Sequence, residues 1–520
     1  MPNVFSFLVN SAEKHPQKVC IKGKDIEWTF SEVYQKALRL AGKLRSTSVK
    51  PGDRVMIYLD NSVEYAAALF AVFCVNAIAV PVNKDLSVNN LRHIYNETEP
   101  KVIMSNKLLM SRLEDNADIQ GYIFLGVDFI DEAAHCLYKG REDTGTAYGA
   151  TTTEATGKVY CNPVAAIPEA DDSAPAMIIY TSGTTKLPKG VTLTHRNLFA
   201  NTVSILQYLK LTHEDSVLAT ISFTYSYGSS VLMTHIKAGG TIIIENRSAY
   251  PLIVLEQLAN TRVTGFSTLG SYLNRLLKQD NIRAEHFEHL HYVTLAGERT
   301  NQEDIEWLSQ LAPHIKIFNM YGQTEACARL SYLEPEMLQE KAGSIGRGIA
   351  GVKLRVVTED GRDVVPGETG EVIACGANIM KGYWNNEAST REVIRDGWLY
   401  TGDLAEMDRD GYIYLKGRKD DIIKHLGHRI SPSEIEAVID TCEDVSESAV
   451  VGIYDGAMIK LKAYVVAKDK LKAPDLEKIL LYTRKVLPPF KRPQLLELIQ
   501  ELPKTANGKI MRSALRNLSM

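Results

Sequence analysis

The order of apolar and polar positions predicts alternating helices and strands over most of the chain. Residues 29–46 carry apolar side chains at helical spacing from Val33 to Leu44, behind a Thr that suits a capping box. Residues 65–82 form a long apolar run, broken at Asn76, which is typical of a buried helix followed by a strand. This alternation predicts an α/β fold with layered sheets and helices.

The pattern changes after about residue 345. Residues 350–376 alternate apolar and polar positions around Asp-Gly and Pro-Gly turns, which predicts antiparallel strands and a small β-rich part. From residue 421 onward, the order helix, strand, strand, helix predicts a small α+β unit. The weakly patterned residues 140–163 are predicted to form a surface loop.

Composition excludes several classes of protein. The chain has 520 residues, 45% hydrophobic and 23% charged, with a net charge of −4, so nothing indicates a nucleic-acid surface. The first residues lack the features of a signal peptide, and no apolar run is long enough to span a membrane. Seven cysteines without a CxxC motif indicate reduced thiols. We therefore expect a cytoplasmic globular protein.

A short apolar strand predicted at 176–183 runs into the segment TSGTTKLPKG, residues 181–190, which cannot build a core. Its hydroxyls and backbone N–H groups suit phosphate oxygens, and Lys189 adds a mobile positive charge. It is not the common phosphate loop, which ends in Gly-Lys-Ser or Gly-Lys-Thr. Taken alone, a flexible surface loop explains the segment equally well.

A second segment, YGQTEA at 321–326, also follows an apolar strand. Glu325 is suited to Mg²⁺, and the hydroxyl of Thr324 to a phosphate. Tyr321 offers a ring on which a base can stack. The simpler interpretation is a strand, a turn and a helix start. Two further segments carry isolated polar residues: 397–436, with Asp403 and an Arg-Lys-Asp-Asp cluster, and 503–516, with Lys509 beside a Gly.

Together these segments resemble the AMP-forming adenylating enzymes, a superfamily of acyl-CoA synthetases, carrier-protein ligases, adenylation domains and luciferases. The resemblance covers nearly the whole chain, and its motifs occur in the family's order. They are PGDRV, AVPVN, the Ser/Thr/Gly loop, AGE, YGQTEA, GETGEV, YTGDL, GRKDDIIK, GHRISPSEIE and PKTANGK. The chain departs from the pattern at Lys186, where the family usually has Gly, and we interpret this as a tolerated variant.

The resemblance implies a role for each motif residue. The catalytic set would be Lys509, which bridges the substrate carboxylate and the α-phosphate, Thr324 at the α-phosphate and Glu325 on Mg²⁺. The β- and γ-phosphates of ATP would be held by Thr181, Ser182, Gly183, Thr184, Thr185 and Lys189. Adenine and ribose would be held by Ala296, Gly297, Glu298, Tyr321, Gly322, Asp403 and Arg418.

The resemblance also implies two half-reactions and a moving domain. A carboxylate and ATP would give acyl-AMP and pyrophosphate, and the thiol of CoA or of phosphopantetheine would then take the acyl group. The family swings its C-terminal domain about a hinge, here Asp420, so that either Lys509 or the segment containing Lys424 and Gly427 faces the site. We therefore expect domains at 1–417 and 421–520, the second one mobile, with a hinge at 418–420.

The resemblance places the acid pocket on three segments, 222–235, 266–272 and 319–329. Its expected residues are Tyr225, Tyr227, Gly228, Gly270 and Cys327, the last of these a packing residue and not a nucleophile. Amino-acid-activating relatives place an Asp in the first segment to pair with an ammonium, and no acid stands there in this chain. Because a buried ammonium needs a partner, we expect an acid with an uncharged acyl or aryl body.

The acceptor and some alternatives stay open. Residues 421–520 contain 16 Lys and Arg against 13 Asp and Glu, a mildly basic surface that suits CoA phosphates or an acidic carrier protein acting in trans. One alternative is an amino-acid-type adenylation enzyme that loads such a carrier. A second is a luciferase-like oxygenase, and a third is a non-catalytic nucleotide-binding relative.

The replacement Lys509→Ala tests the role of the loop near the end of the chain. We expect it to abolish acyl-AMP formation, because the positive charge between carboxylate and phosphate is lost. Thioester formation from supplied acyl-AMP should stay largely intact. Pyrophosphate exchange and thioester yield measure the two steps separately, and an equal loss of both would contradict the assigned role.

Overall fold

The fold is described from a computed structural model. It describes residues 3–116, 122–127, 136–139, 171–181, 187–298, 300–421, 423–425, 428–455, 458–469, 473–504 and 510–518. The predicted surface loop at 140–163 lies outside these residues.

The helices and strands alternate in the first two thirds of the chain. The helices are α1 (Ser6–Lys14), α2 (Phe30–Ser46), α3 (Val63–Cys74), α4 (Val88–Thr98), α5 (Lys107–Asn116), α6 (His195–Leu209), α7 (Ser226–Ala238), α8 (Pro251–Thr261), α9 (Gly270–Leu277), α10 (Gln302–Leu311), α11 (Glu387–Val393), α12 (Pro432–Ile439), α13 (Leu476–Val486) and α14 (Arg512–Asn517).

The strands are β1 (Val19–Lys22), β2 (Glu27–Thr29), β3 (Arg54–Tyr58), β4 (Ile78–Val82), β5 (Val102–Ser105), β6 (Tyr122–Gly126), β7 (Cys136–Lys139), β8 (Pro175–Thr181), β9 (Lys189–Thr194), β10 (Ser216–Ala219), β11 (Thr241–Ile244), β12 (Gly265–Thr268), β13 (Tyr292–Leu295), β14 (Lys316–Tyr321), β15 (Ser331–Leu333), β16 (Arg347–Gly348), β17 (Val352–Val357), β18 (Gly370–Gly376), β19 (Gly382–Tyr383), β20 (Ile394–Arg395), β21 (Trp398–Met407), β22 (Ile413–Arg418), β23 (Ile423–His425), β24 (His428–Ile430), β25 (Val445–Asp455), β26 (Met458–Ala467) and β27 (Leu495–Ile499).

The described residues divide into two units. The first contains those within 1–181, 187–353 and 375–399, and the second those within 354–374 and 400–520. The β-rich residues 400–418 therefore group with the C-terminal segment by their contacts. These contacts do not test which segment moves, so the hinge at 418–420 stays a prediction.

The first unit contains two large sheets. One has nine strands in the order β16-β15-β14-β13-β12-β10-β11-β1-β2, and the run from β14 to β1 is parallel. The other has eight strands in the order β19-β9-β8-β4-β3-β5-β6-β7. Parallel strands joined by helices bury both faces of a sheet, and this explains the nearly continuous apolar runs in the sequence.

Successive residues of β3 show how the core is divided. Val55 and Ile57 belong to the large core that also takes in helices α1, α2, α3 and α7. Met56 and Tyr58 belong to a second cluster with residues of α4 and α5. Because side chains of a strand alternate between the two faces, one strand contributes to both cores.

Local signals explain where the early helices begin. The hydroxyl of Thr29 accepts a hydrogen bond from the Glu32 N–H at 3.2 Å, and Glu32 Oε2 accepts one from the Thr29 N–H at 2.7 Å. This is the capping box expected from the sequence. The hydroxyl of Ser62 caps α3 by accepting from the Tyr65 N–H at 3.1 Å.

The second unit combines antiparallel strands with a small α+β part. Strands β17, β18 and β21 follow one another in a sheet, and β22 pairs with β21. Strands β25, β26 and β27 form a three-stranded sheet, and α12 and α13 contribute Ile435 and Ile479 to its core. The predicted fold class, a large layered α/β part with a small α+β part, is confirmed. Among the described residues, no helix has the length and apolar character that crossing a membrane requires.

Candidate functional site

The residues predicted from the motifs gather where parallel strands of the nine-stranded sheet end. Gly270 follows β12, while Ala296, Gly297 and Glu298 follow β13. Tyr321 is the last residue of β14, the parallel neighbour of β13. Carboxyl ends of adjacent parallel strands are where α/β sheets bind ligands. The AGE and YGQTEA motifs are therefore neighbours in the fold.

The AGE turn is fixed by its backbone and by one hydrogen bond. Gly297 has a φ of +92°, a conformation that favours glycine. The Glu298 carboxylate accepts a hydrogen bond from the N–H of Ser271, in the first turn of α9. A carboxylate is favourable there because a helix N-terminus carries positive charge. Ala296 and Tyr321 are buried beside this turn.

The loop from 321 to 330 closes on itself. The Leu330 N–H donates to the Tyr321 carbonyl at 2.9 Å. At Gly322 a Cβ atom would lie 1.9 Å from the carbonyl oxygen of Ala328, so only glycine fits. Cys327 and Ala328 have positive φ values of 55° and 95°, which are uncommon for residues with a side chain. The loop is tight, and its shape depends on these positions.

Glu325 is held by the segment that contains β19. The Tyr383 hydroxyl donates to Glu325 Oε1 at 2.8 Å, and the Met380 N–H donates to the Glu325 carbonyl at 2.8 Å. Asn378 Nδ2 donates to the Ala326 carbonyl at 3.0 Å. Among the described residues, no other donor reaches the Glu325 carboxylate, so its second oxygen is available to a cation.

Tyr383 also connects Glu325 to the Ser/Thr/Gly segment. It pairs with Val191 of β9, the strand that begins at Lys189. Lys189 Nζ lies 4.9 Å from the centroid of the Tyr383 ring. Thr181 and Lys189 form the last pair of the β8–β9 hairpin. The hairpin therefore presents its lysine next to the tyrosine that holds Glu325.

The predicted acid pocket is built around the start of α7. The hydroxyls of Thr324 and Ser226 lie 3.2 Å apart. Tyr225 precedes the helix, and burial raises the pKa of its hydroxyl to about 12, so it is neutral. The Tyr227 hydroxyl donates to the Thr294 carbonyl at 2.9 Å. At Gly228 a Cβ atom would lie 2.1 Å from the Ser222 carbonyl oxygen.

Cys327 is 5% exposed and lines a small cavity with Ser226 and Ser229. Burial raises the pKa of its thiol, which disfavours the thiolate. A buried neutral thiol of this kind is a packing residue and a poor nucleophile.

In the second unit, Asp403 and Arg418 are cross-strand neighbours on β21 and β22. Arg418 Nη1 lies 2.9 Å from Asp403 Oδ1 and also donates to the Thr401 carbonyl at 3.0 Å. The Asp403 side chain is largely buried, whereas that of Arg418 is about half exposed, at 13% and 47%. The two residues predicted for the ribose therefore form an ion pair here.

The predicted hinge lies directly after β22 in the chain. Asp420 lies in the 3₁₀ turn Lys419–Asp421, and Lys424 lies in β23. The hydroxyls of Ser431 and Ser433 donate to the Lys416 carbonyl at 2.5 and 2.9 Å, which holds the start of α12 to β22.

Six predicted site residues lie outside the described residues: Ser182, Gly183, Thr184, Thr185, Gly427 and Lys509.

Comparison with known proteins identifies the family. A model described as AMP-binding enzyme matches residues 8–384, and one described as AMP-binding enzyme C-terminal domain matches residues 434–509. The chain belongs to the AMP-binding enzyme family. The resemblance drawn from the motifs is confirmed.

The relatives cover nearly the full chain. A 2-succinylbenzoate–CoA ligase of Bacillus licheniformis is 29% identical over 98% of this chain and 99% of its own length. A long-chain-fatty-acid–CoA ligase of Bacillus subtilis is 30% identical over 98% of this chain and 93% of its own length. The o-succinylbenzoate CoA synthetase of Bacillus subtilis, solved with ATP and a magnesium ion, is 27% identical, covers 99% of each chain and has a TM-score of 0.82.

The residues around Glu325 suit a magnesium ion that is shared with substrate phosphates. Among the described residues, no group of three or more His, Cys, Asp or Glu forms an all-protein metal site. Mg²⁺ is commonly bound by one or two carboxylates, with phosphates and water supplying the other oxygens. Glu325 offers one carboxylate oxygen of this kind, and Lys189 lies on the other side of Tyr383.

Sequence reasoning missed three residues of this site: Tyr383, Asn378 and Ser226. Each acts on the 321–330 loop by a hydrogen bond from a distant part of the chain. A short GYW segment gives little local signal, because a two-residue strand has no measurable periodicity.

The replacement Tyr383→Phe tests the link to Glu325. It removes the hydroxyl but keeps the ring beside Lys189. Partners of metal-binding carboxylates typically contribute ~10–100-fold to metal affinity or activity. We expect the Mg²⁺ concentration for half-maximal pyrophosphate exchange to rise about tenfold, with little change in melting temperature.

Tyr414→Phe is the matched control, because the Tyr414 hydroxyl donates to Asp408, outside the predicted site, at 3.4 Å. An unchanged Mg²⁺ requirement in Tyr383→Phe would show that the hydroxyl does not position Glu325 for a metal.

Proposed function

We propose that this protein is an AMP-forming acid–thiol ligase, which activates a carboxylic acid with ATP and transfers the acyl group to a thiol. The observation that carries the proposal is the placement of Glu325, which Tyr383 holds with one carboxylate oxygen left available and with Lys189 nearby. The relatives support it, since they are CoA ligases and one solved relative contains ATP and magnesium.

In the first half-reaction, a carboxylate oxygen of the acid attacks the α-phosphorus of ATP. The bond from that phosphorus to the bridging oxygen breaks, and pyrophosphate leaves. Thr324 would donate its hydroxyl to the α-phosphate, and Lys189 would hold the outgoing phosphates with the hydroxyls of the 181–185 segment. Glu325 would hold Mg²⁺, which neutralises charge on the phosphates when bound.

The adenosine would lie along the AGE turn and the Tyr321 ring, with its ribose at Asp403. The Asp403 carboxylate can accept hydrogen bonds from both ribose hydroxyls. Its present partner Arg418 is half exposed, and such ion pairs are weak, so ribose can displace the guanidinium at little cost. Lys509, charged at neutral pH, would clamp the two reacting anions.

In the second half-reaction, a thiolate attacks the acyl carbon and AMP leaves. The solved o-succinylbenzoate CoA synthetase is also known with its acyl-adenylate, at 27% identity and a TM-score of 0.83. CoA is the acceptor that the relatives favour. A phosphopantetheinyl carrier protein acting in trans is the second candidate, because the C-terminal segment is mildly basic. We place the reaction in the cytoplasm, where ATP and CoA are available.

Pyrophosphate exchange with a panel of acids tests this function. The panel includes 2-succinylbenzoate and a long-chain fatty acid, the acids named in the two relatives above. It also includes ferulate, named in a feruloyl-CoA synthase of Amycolatopsis that is 29% identical over 98% of this chain. We expect exchange with at least one acid, and a loss of about 100-fold or more in Glu325→Gln, because metal stabilisation contributes several kcal/mol.

Thioester yield with CoA and with a carrier protein then identifies the acceptor. No exchange with any acid would favour a non-catalytic nucleotide-binding protein. An unchanged rate of pyrophosphate exchange in Glu325→Gln would show that Glu325 does not take part in the reaction.

The replacement Asp420→Pro tests the proposed swing of the C-terminal domain. Proline fixes φ near −65° and removes an N–H, so it should trap one arrangement of the segments on either side. We expect adenylation to continue and thioester transfer to be lost, on a protein with an unchanged melting temperature. Arg409→Pro is a control for proline elsewhere in the β-rich part, because Arg409 is the second residue of the Asp408–Gly411 turn, a position that accepts proline. Wild-type rates for both steps in Asp420→Pro would place the hinge elsewhere.

A further inference from the structure

Arg329 is a cation buried in the wall of the predicted acid pocket. It is 3% exposed. It belongs to the same closed loop as Thr324 and Glu325, and its Cα atom packs against Gly322. The positive φ angles of Cys327 and Ala328 immediately precede it. Backbone strain of this kind clusters at functional sites, because the surrounding structure must hold it in place.

The partners of the Arg329 guanidinium are neutral. Nε lies 3.2 Å from the Met320 sulfur, and Nη1 donates to the Ala328 carbonyl at 3.2 Å. The guanidinium stacks over the Tyr227 ring at 4.2 Å and interacts with the Tyr208 hydroxyl. Within the described part of the chain, no carboxylate lies within ion-pair distance of it.

This arrangement is unusual because buried charges in proteins are normally paired. Arg512, another arginine with little exposed surface, is paired with carboxylates as usual. Its guanidinium binds the Glu436 carboxylate with contacts of 2.7 Å and lies 3.4 Å from Asp421. Arg329 therefore carries a charge for which the described residues supply no counter-ion.

A small cavity adjoins this guanidinium, and all three predicted pocket segments contribute to its wall. Ser230 and His235 come from the first segment, Ser267 from the second, and Met320 and Arg329 from the third. Burial lowers the pKa of His235 to about 4, so the imidazole is neutral near pH 7. The wall contains no Asp or Glu. Arg329 is therefore the charged residue in this wall.

Both cavities have walls of mixed apolar and polar side chains. The hydroxyl of Thr268 and the amide oxygen of Asn201 are buried without a hydrogen-bond partner among the described residues. Asn201 and Ser230 line a second cavity along α7, next to Cys327. Each cavity has a volume of about 10 Å³, room for about one water molecule. The Thr268 hydroxyl can donate to a carboxylate, whereas the Asn201 amide oxygen only accepts and needs a donor such as water.

We propose that Arg329 binds a second carboxylate on the acid substrate, so that the preferred substrates are dicarboxylic acids with a short chain or a ring between the two groups. One carboxylate reacts with ATP near Thr324, and the other forms a charged pair with the guanidinium. The inference rests on the proposed function and replaces the uncharged acid body expected from the sequence. Because each cavity has room for only about one water molecule, binding of a diacid requires the flexible Met320 side chain to move aside, and this favours compact substrates.

The test compares matched acids by pyrophosphate exchange on the full-length protein. The pairs are glutarate with pentanoate, adipate with hexanoate, and terephthalate with benzoate. Truncating one partner of a buried charge pair commonly costs ~30-fold to several thousand-fold. We therefore expect wild-type kcat/KM to favour the diacid of at least one pair by about 100-fold. Wild-type preference for the monoacid in every pair would overturn the inference.

Variants separate recognition from folding. We expect Arg329→Met to lose most of the kcat/KM for the diacid and to keep that for the monoacid within severalfold, while Arg329→Lys keeps part of the diacid preference. Arg54→Met is the matched control, since Arg54 also donates to backbone carbonyls and stacks on an aromatic ring, that of Trp384. Equal loss for both acids in Arg329→Met, at an unchanged melting temperature, would show a structural role only.

The possible outcomes distinguish this inference from the proposed function. If the Arg329 variants do not fold, the inference is tested by the wild-type protein alone, through the ratio of kcat/KM for the diacid to that for the monoacid. Exchange with monoacids only would overturn the substrate class and leave the ligase function standing. No exchange with any acid would overturn the ligase function, and the substrate class with it.

Discussion

The short strand β19 is the constraint on which the rest of the site depends. Tyr383 pairs with β9 of one sheet and donates its hydroxyl to Glu325, which follows β14 of the other sheet. One side chain therefore joins the two large sheets at the point where the predicted metal ligand lies. The strand itself is fixed by Thr390, whose hydroxyl accepts from the Tyr383 N–H at 2.9 Å. Without this strand, Tyr383 would no longer hold Glu325 close to Lys189.

The loop from 321 to 330 serves two purposes within ten residues. Its first half presents Thr324 and Glu325 toward the expected phosphates, and its second half turns Arg329 into the interior. A turn this sharp needs glycine at Gly322 and left-handed backbone at Cys327 and Ala328. The loop keeps this shape because Asn378 donates to the carbonyls of both Ala326 and Arg329. One rigid turn thereby holds the two motif residues and Arg329.

The two units contribute different kinds of group. The first supplies buried, rigidly held residues at the ends of parallel strands, which suits the positioning of phosphates and a metal ion. The second supplies Asp403 and Arg418, joined by a partly exposed ion pair, together with a polar connection from β22 to α12. Partly exposed ion pairs are weak and easily exchanged.

The sequence by itself determined the fold class, most of the early elements and the identity of the motif residues. Helices such as α2 follow from periodicity and a local capping box, which act within a few residues. Thr324 and Glu325 stand out in the sequence because a polar motif follows an apolar strand, and their roles in catalysis stay predictions.

Only the tertiary structure decided which residues hold the motifs in place. Tyr383 and Glu325 are 58 positions apart, and Ser226 and Thr324 are 98 apart, so no local pattern relates them. Arg329 shows the same limit most clearly. An arginine at the end of a polar turn has the pattern of a surface residue, since arginine is seldom fully buried unless it is paired. Its burial beside Tyr227, with neutral partners, depends on how α7 packs against the loop, and this packing changes the expected substrate.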